Sequence, residues 1–113
     1  MQRLNYLELP VSDVAGMKSF YQGVFGWTFS DFGSGYAATT SGDVDVGLNG
    51  EPEGASAAPL PVVQVDDLEA TLAAVTRAGG AVTVPIFAFP GGRRFHFRDP
   101  AGHELAAMVP DGG

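Results

Sequence analysis

The sequence predicts an α+β fold made of two βαβββ modules. A short apolar run that ends in aspartate and leads into a helical pattern occurs twice, at Leu7–Asp13 and at Val62–Asp67. The two final aspartates are 54 residues apart, and the same distance separates the glycines that end the two helical patterns, Gly26 and Gly80. A repeat of this length indicates two copies of one structural unit. The 113 residues suffice for one ordinary domain.

The first module has the pattern β-α-β-β-β. Alternation along its first strand places Tyr6 and Glu8 on one face and the apolar Leu7 and Leu9 on the other. Capping residues bound the helix, and three alternating stretches broken by glycine predict antiparallel strands. The predicted elements are a strand over 4–11, a helix capped by Ser12 or Asp13 and ended by Gly26, and strands over 27–32, 36–40 and 44–48.

The second module repeats this pattern after a segment rich in Ala, Gly, Pro and Ser. Pro85 indicates an edge or a bulge in one strand, and Asp99–Gly102 has the residues of a type I turn. The predicted elements are a strand over 60–65, a helix capped by Asp66 or Asp67 and ended by Gly79 and Gly80, and strands over 81–89, 94–98 and 104–109. Module 1 therefore covers about 1–50, the linker 51–59, and module 2 about 60–110.

Composition narrows the class of function. Hydrophobic residues make up 45% and charged residues 17%, which is typical of a globular domain. Six basic and thirteen acidic residues give a net charge of −7, which would repel phosphate backbones and anionic lipid. We expect no nucleic acid and no membrane as partners. The chain has no cysteine, so thiolate chemistry is excluded, and with no signal-like segment we expect a cytoplasmic location.

Four motifs together resemble the vicinal oxygen chelate superfamily, which includes glyoxalase I, extradiol dioxygenases, fosfomycin resistance enzymes and bleomycin-binding proteins. The resemblance implies a curled mixed sheet that encloses a cleft between the modules, commonly in a homodimer. It does not imply a reaction, since such superfamilies host several chemistries and non-catalytic binders. The motifs are Glu8–Asp13, Phe20-Tyr21 with Val24–Trp27, Val65–Gly80 and Phe97–His103.

The same resemblance raises the question of a metal. Metal-using relatives place a histidine seven residues before the aspartate of each module, which corresponds here to Tyr6 and Leu60. A carboxylate late in the last strand corresponds to Ala106, and a fourth ligand position lies near Asp45. Catalytic divalent ions normally need three protein ligands of nitrogen or oxygen. We therefore expect no metal and no cofactor.

Polar and aromatic residues remain as candidates for a site in the cleft. Glu8 and His96 are candidate general bases, although Glu8 is equally compatible with a solvated or arginine-paired side chain and His96 with a structural histidine. In the family pattern Phe95 and Phe97 pack under the helix, which leaves His96 on the opposite face. The candidate ligand-binding residues are Tyr6, Trp27, Phe32, Tyr36, Leu60, Val62, Gln64, Arg94, Ala106 and Met108.

Three functions are compatible with this sequence. The first is a metal-independent protein that binds a small aromatic or cationic molecule in the cleft. The second is a metal-free isomerase, cyclase or lyase with Glu8 or His96 as general base. A metal-dependent lyase or dioxygenase is the third, and it requires that the counted ligand positions be out of register.

Overall fold

The computed structural model describes residues 2–41, 43–51 and 56–111. Residues 52–55 of the predicted linker lie outside this part of the chain. The chain divides into two compact units. The N-terminal unit is Tyr6–Leu60, and the C-terminal unit consists of Met1–Asn5 and Pro61–Gly113.

The predicted fold class, α+β with two βαβββ modules, is confirmed. Observed strand ends lie within two residues of the predicted ones. The elements are β1 (Arg3–Pro10), α1 (Val14–Phe25), β2 (Phe29–Asp31), β3 (Tyr36–Thr39), β4 (Asp45–Asn49), β5 (Leu60–Gln64), α2 (Leu68–Arg77), β6 (Ala81–Phe89), β7 (Gly92–Arg98) and β8 (Glu104–Pro110). The largest differences are at β2, which begins two residues after its predicted start, and at β7, which begins two residues before it. Trp27, which was predicted to lie in β2, packs instead on the rings of Tyr21 and Phe25.

The two modules have the same strand pairing. In the N-terminal unit β1 runs parallel to β4, and β4, β3 and β2 follow one another as antiparallel neighbours. In the C-terminal unit β5 runs parallel to β8, and β8, β7 and β6 are antiparallel neighbours. Each module therefore has a mixed sheet in which its first and last strands are the parallel pair.

Of the two candidate N-caps predicted for each helix, Asp13 caps α1 and Asp67 caps α2. The Asp13 carboxylate accepts a hydrogen bond from the Gly16 backbone N–H at 3.0 Å, and Asp67 accepts one from Ala70 at 3.0 Å. These bonds satisfy backbone donors that a helix N-terminus leaves unpaired. Gly26 ends α1 in the left-handed conformation, with φ of 71°.

The best-defined core lies in the C-terminal unit under α2. Phe95 is fully buried, and it packs with Val65, Leu68 and Ala107. Phe97 packs against the same cluster, so both phenylalanines point inward as the family pattern implies. The pairing of β6 with β7 is irregular between Val84 and Phe87, which is where Pro85 predicted a bulge.

Neither helix among the described residues is long enough to cross a bilayer. With 12 residues in α1 and 10 in α2, both fall short of the roughly 20 that a spanning helix requires.

Candidate functional site

A buried carboxylate lies at the centre of the N-terminal unit. Glu8 lies on β1 opposite Gly47 of β4, and only 2% of it is exposed. Its Oε1 accepts a hydrogen bond of 2.9 Å from the Tyr36 hydroxyl, and its Oε2 accepts one of 3.4 Å from the Asn49 side-chain amide. The alternative of a solvated Glu8 is therefore wrong. A carboxylate is buried without prohibitive loss of hydration only where donors surround it.

Tyr6 extends this network by one more hydroxyl. The Tyr6 and Tyr36 oxygens lie 2.5 Å apart. A phenol has one proton to donate, and that of Tyr36 is directed at Glu8, so Tyr6 donates to Tyr36. We call Tyr6, Glu8, Tyr36 and Asn49 the Glu8 cluster. Burial raises the pKa of Tyr36 far above its ordinary value, and the bond with Tyr6 and the negative charge of Glu8 add to that effect. Tyr36 therefore remains a hydrogen-bond donor throughout the physiological pH range.

Gly47 makes room for the Glu8 cluster. A Cβ atom at this position would collide with the hydroxyl oxygens of both Tyr6 and Tyr36. Neither Gly47 nor Asn49 was a sequence-predicted site residue. Gly47 carried a usable signal, because glycine inside a strand often marks a close approach by other groups. Asn49 carried none, because an asparagine at a strand end is typical of an ordinary turn.

The two other predicted aromatic residues of this unit lie at its surface. Phe32 is 59% exposed, and its ring centroid is 6.5 Å from that of Tyr36. Trp27 is 36% exposed and lies against an open groove of about 350 Å³ that none of the Glu8 cluster residues lines. Leu60, also predicted to contact ligand, is 1% exposed.

In the C-terminal unit, His96 is 6% exposed, and its ring lies 5.8 Å from that of Phe87. Its Nδ1 is 3.7 Å from the nearer carboxylate oxygen of Glu104, which is too long for a hydrogen bond. Arg94 is held between two rings, because its guanidinium carbon lies 5.3 Å from the centroids of both Phe87 and Phe89. Such cation–π contacts fix the orientation of the side chain.

The remaining predicted residues belong to the paired strands β5 and β8. Val62 pairs with Ala106, and these two are 2% and 0% exposed. Gln64 pairs with Met108, and both contact Asn5, which alternation along β1 had not assigned to the ligand-binding face. The predicted residues thus form two groups, one in each unit.

Comparison with known proteins identifies the family. The model of the Glyoxalase/Bleomycin resistance protein/Dioxygenase superfamily matches residues 3–107. The chain belongs to this superfamily. It is 31% identical to the protein named "Putative glyoxylase CFP32" in Mycobacterium tuberculosis over 109 residues, which cover 87% of this chain and 42% of the relative. The chain thus spans less than half the length of that relative.

Solved structures of the superfamily share the fold. A glyoxalase/bleomycin resistance protein/dioxygenase superfamily member from Vibrio splendidus has a TM-score of 0.72 at 19% identity, covering 96% of this chain and 99% of that one. The Mn(II)-bound glyoxalase from Novosphingobium aromaticivorans has a TM-score of 0.70 at 23% identity, covering 96% of this chain and 40% of that one. Identities this low establish the common fold and nothing about activity.

A manganese ion such as that glyoxalase holds does not fit the residues found here. At the positions inferred from metal-using relatives, Leu60 and Ala106 offer no donor atom, and the Tyr6 hydroxyl is bonded to Tyr36. Asp45 Oδ1 accepts hydrogen bonds from the Thr39 hydroxyl and from the backbone and hydroxyl of Ser41, at 2.6–2.8 Å. Asp45 therefore orders the loop before β4. Among the described residues, no group of three or more His, Cys, Asp or Glu is placed to hold a metal ion.

Proposed function

We propose that this protein binds a small molecule without a metal ion and that the Glu8 cluster anchors the ligand. The observation that carries this proposal is the burial of Glu8 among two phenols and an amide. A preformed group of polar side chains among apolar and aromatic residues is typical of small-molecule sites.

The chemistry of the cluster favours a particular class of ligand. A carboxylate attracts N–H donors and positive charge, and the net charge of −7 acts in the same direction. Aromatic rings at Tyr6, Tyr36 and Phe32 favour a ligand with an aromatic body. We therefore propose an aromatic ligand that carries an amine, amidine or similar cationic group.

Thermal-shift measurement with tyramine, benzamidine and a bleomycin tests the proposal. At 100 times its Kd, a ligand stabilises the folded state by about 2.7 kcal/mol. We expect at least one of the three to stabilise wild type and Glu69→Gln, and to stabilise Glu8→Gln much less. Glu69 is an exposed acid on α2, so its substitution removes the same charge without touching the cluster. Equal stabilisation of Glu8→Gln and wild type, or no stabilisation by any of the three, would contradict the proposal.

A second candidate function is a metal-free isomerase, cyclase or lyase with Glu8 as general base. The observation that favours it is the hydrogen-bonded chain from Tyr6 through Tyr36 to Glu8, along which a proton could be relayed. His96 is the other candidate base, although its ring packs against Phe87. Once a substrate is found, Glu8→Gln or His96→Ala should slow turnover by at least ~10²-fold. If neither substitution changed turnover, the catalytic role of Glu8 and His96 would be contradicted, and only the binding function would remain.

Metal analysis of the purified protein tests the exclusion of a metal from this function. We expect far less than one Zn, Ni, Mn or Fe per chain, because the residues at the inferred ligand positions lack suitable free donors. A stoichiometric ion that survives dialysis against a chelator would favour the metal-dependent lyase or dioxygenase instead.

The homodimer implied by the family resemblance stays a prediction. Light scattering on the protein as it elutes from a size-exclusion column tests it.

A further inference from the structure

Asn5 in the C-terminal unit has a buried acceptor atom. Its Nδ2 donates a hydrogen bond of 3.0 Å to Gln64 Oε1 and lies 4.0 Å from the sulfur of Met108. Its Oδ1 is buried and has no hydrogen-bond partner within residues 2–41, 43–51 and 56–111. A buried acceptor that is left unsatisfied destabilises the folded state, because it has lost its hydrogen bonds to water. The large majority of buried side-chain polar atoms in folded proteins have a partner, either in the protein or outside it, so this one requires an explanation.

The surroundings of Asn5 indicate what kind of partner is missing. Gln64 and Met108 face each other on the parallel strands β5 and β8, and the preceding pair of this ladder is the buried apolar Val62 and Ala106. The side-chain amides of Asn5 and Gln64 thus lie next to buried apolar residues. Such a combination of one oriented acceptor with apolar surface is typical of a ligand subsite.

We propose that Asn5, Gln64 and Met108 form a subsite for a neutral small molecule that carries an amide or lactam N–H. The ligand N–H donates to Asn5 Oδ1, while the Gln64 carbonyl oxygen holds the Asn5 amide in the orientation that presents this acceptor. The Met108 side chain is unbranched and adaptable, so it moves aside to admit the ligand and packs on its apolar part.

Charge selects a neutral donor over a cation at this subsite. None of Asn5, Gln64 and Met108 carries a negative charge, so these residues would not compensate an ammonium or amidinium group at this subsite. A buried uncompensated cation is strongly disfavoured. A neutral N–H satisfies the acceptor without that penalty. The subsite therefore goes beyond the proposed function of the Glu8 cluster, which favours a cationic group, and it can be tested separately.

Two matched amides provide the test on the wild-type protein. Benzamide has N–H donors, and N,N-dimethylbenzamide has none but is otherwise similar. Titrations are followed by NMR through the side-chain NH₂ signals of Asn5 and Gln64. We expect benzamide to shift both signals saturably and N,N-dimethylbenzamide to bind at least ~10-fold more weakly, a ratio that corresponds to about 1.4 kcal/mol. Equal affinity for both amides, or no saturable shift with benzamide, would overturn the proposal.

Two variants test whether benzamide binds at Asn5. Asn5→Leu should bind benzamide at least ~10-fold more weakly, because leucine removes the acceptor and the amide that Gln64 orients. Gln22→Leu, which removes an exposed amide on α1, should bind as wild type does. Unchanged binding by Asn5→Leu would overturn the subsite. If Asn5→Leu fails to fold, the comparison of benzamide with N,N-dimethylbenzamide on the wild-type protein still tests the proposal. Stabilisation by tyramine, benzamidine or bleomycin that persists when benzamide fails would leave the proposed function of the Glu8 cluster intact.

Discussion

A glutamate in a strand is ordinarily solvated, whereas Glu8 is buried. Its burial depends on residues that are distant in the sequence. Alternation along β1 predicted that Glu8 and Tyr6 share a face, and Tyr36 bonds to both of them. Alternation contains no information about how deeply a side chain is buried. Depth depends on Tyr36 and Asn49, which lie 28 and 41 residues away along the chain. Long-range partners of this kind are set by strand pairing, and the sequence alone does not reveal them.

Gly47→Ala should damage the Glu8 cluster through a single methyl group. Its Cβ would overlap both phenol oxygens, so the rings must shift, and overpacking of this kind typically costs about 1–3 kcal/mol of unfolding free energy. Urea denaturation measures the loss. Gly23→Ala is the matched control, because Gly23 lies within α1 with no atom near its added Cβ and should gain about 0.5–1 kcal/mol.

A second substitution tests whether the phenols cause the damage. Adding Tyr6→Phe to Gly47→Ala removes one of the two overlapping oxygens, so the double variant should lose less stability than the sum of the single losses. Strict additivity, or a Gly47→Ala protein as stable as wild type, would mean that the cluster does not occupy the space above Gly47.

At the scale of elements, helices and turns were the most predictable features. Each helix has an aspartate cap whose short side chain bonds the first turn, and this signal is local. The turn at Asp99 is equally local, since the backbone N–H of Gly102 donates to the Asp99 carbonyl at 2.9 Å. Asn5 was missed because its partners lie on β5 and β8, far from it in sequence.

The Asp99 turn should make stability depend on acid. The backbone N–H of His103, and after it the His103 ring, lower the pKa of the Asp99 carboxyl. Because the folded pKa lies below the unfolded value of about 3.9, the carboxylate stabilises the fold above that pH, and the contribution is lost as the pH falls through the folded pKa. Asp99→Asn retains an acceptor for the backbone and should therefore lose less stability than wild type between pH 5 and about 2.

Urea midpoints across that pH range measure the difference. His103→Ala serves as the comparison, because it removes the ring and keeps the backbone N–H that is the largest cause of the shift. It should preserve most of the acid dependence seen in wild type. Identical pH profiles for wild type and Asp99→Asn would contradict this account of the turn.

At the scale of the whole molecule, the internal repeat was the decisive signal. Equal spacing of caps and terminating glycines predicted two modules, and both have the same ladder, with the first strand parallel to the last. Sequence similarity to a superfamily agreed with this, but neither source of information specified a ligand. Chemistry in this superfamily depends on a few side chains on a common frame, so only contacts such as those of Glu8 and Asn5 distinguish one member from another.

The net charge of −7 should make the stability of the whole chain respond to salt. Acidic residues outnumber basic ones by thirteen to six, and their mutual repulsion is stronger in the compact state than in the unfolded chain. Exposed ion pairs act in the opposite direction, and among the described residues they include Lys18–Asp31 at 2.7 Å and Arg93–Glu69 at 2.8 Å. Exposed pairs of this kind contribute little to stability, because solvent screens them and long side chains must be held in one geometry.

Repulsion from the excess of acidic residues should prevail over the weak attraction of exposed pairs. Raising NaCl from 10 to 150 mM shortens the Debye length from about 30 to 8 Å, which screens the long-range repulsion. We expect the thermal midpoint to rise by a few degrees, since 1 kcal/mol corresponds to about 4–8 °C for a domain close to this size. KCl at equal ionic strength should produce the same rise, because screening does not depend on the identity of the ion. A midpoint that falls with NaCl would mean that specific ion pairs, rather than net charge, dominate the electrostatics of this protein.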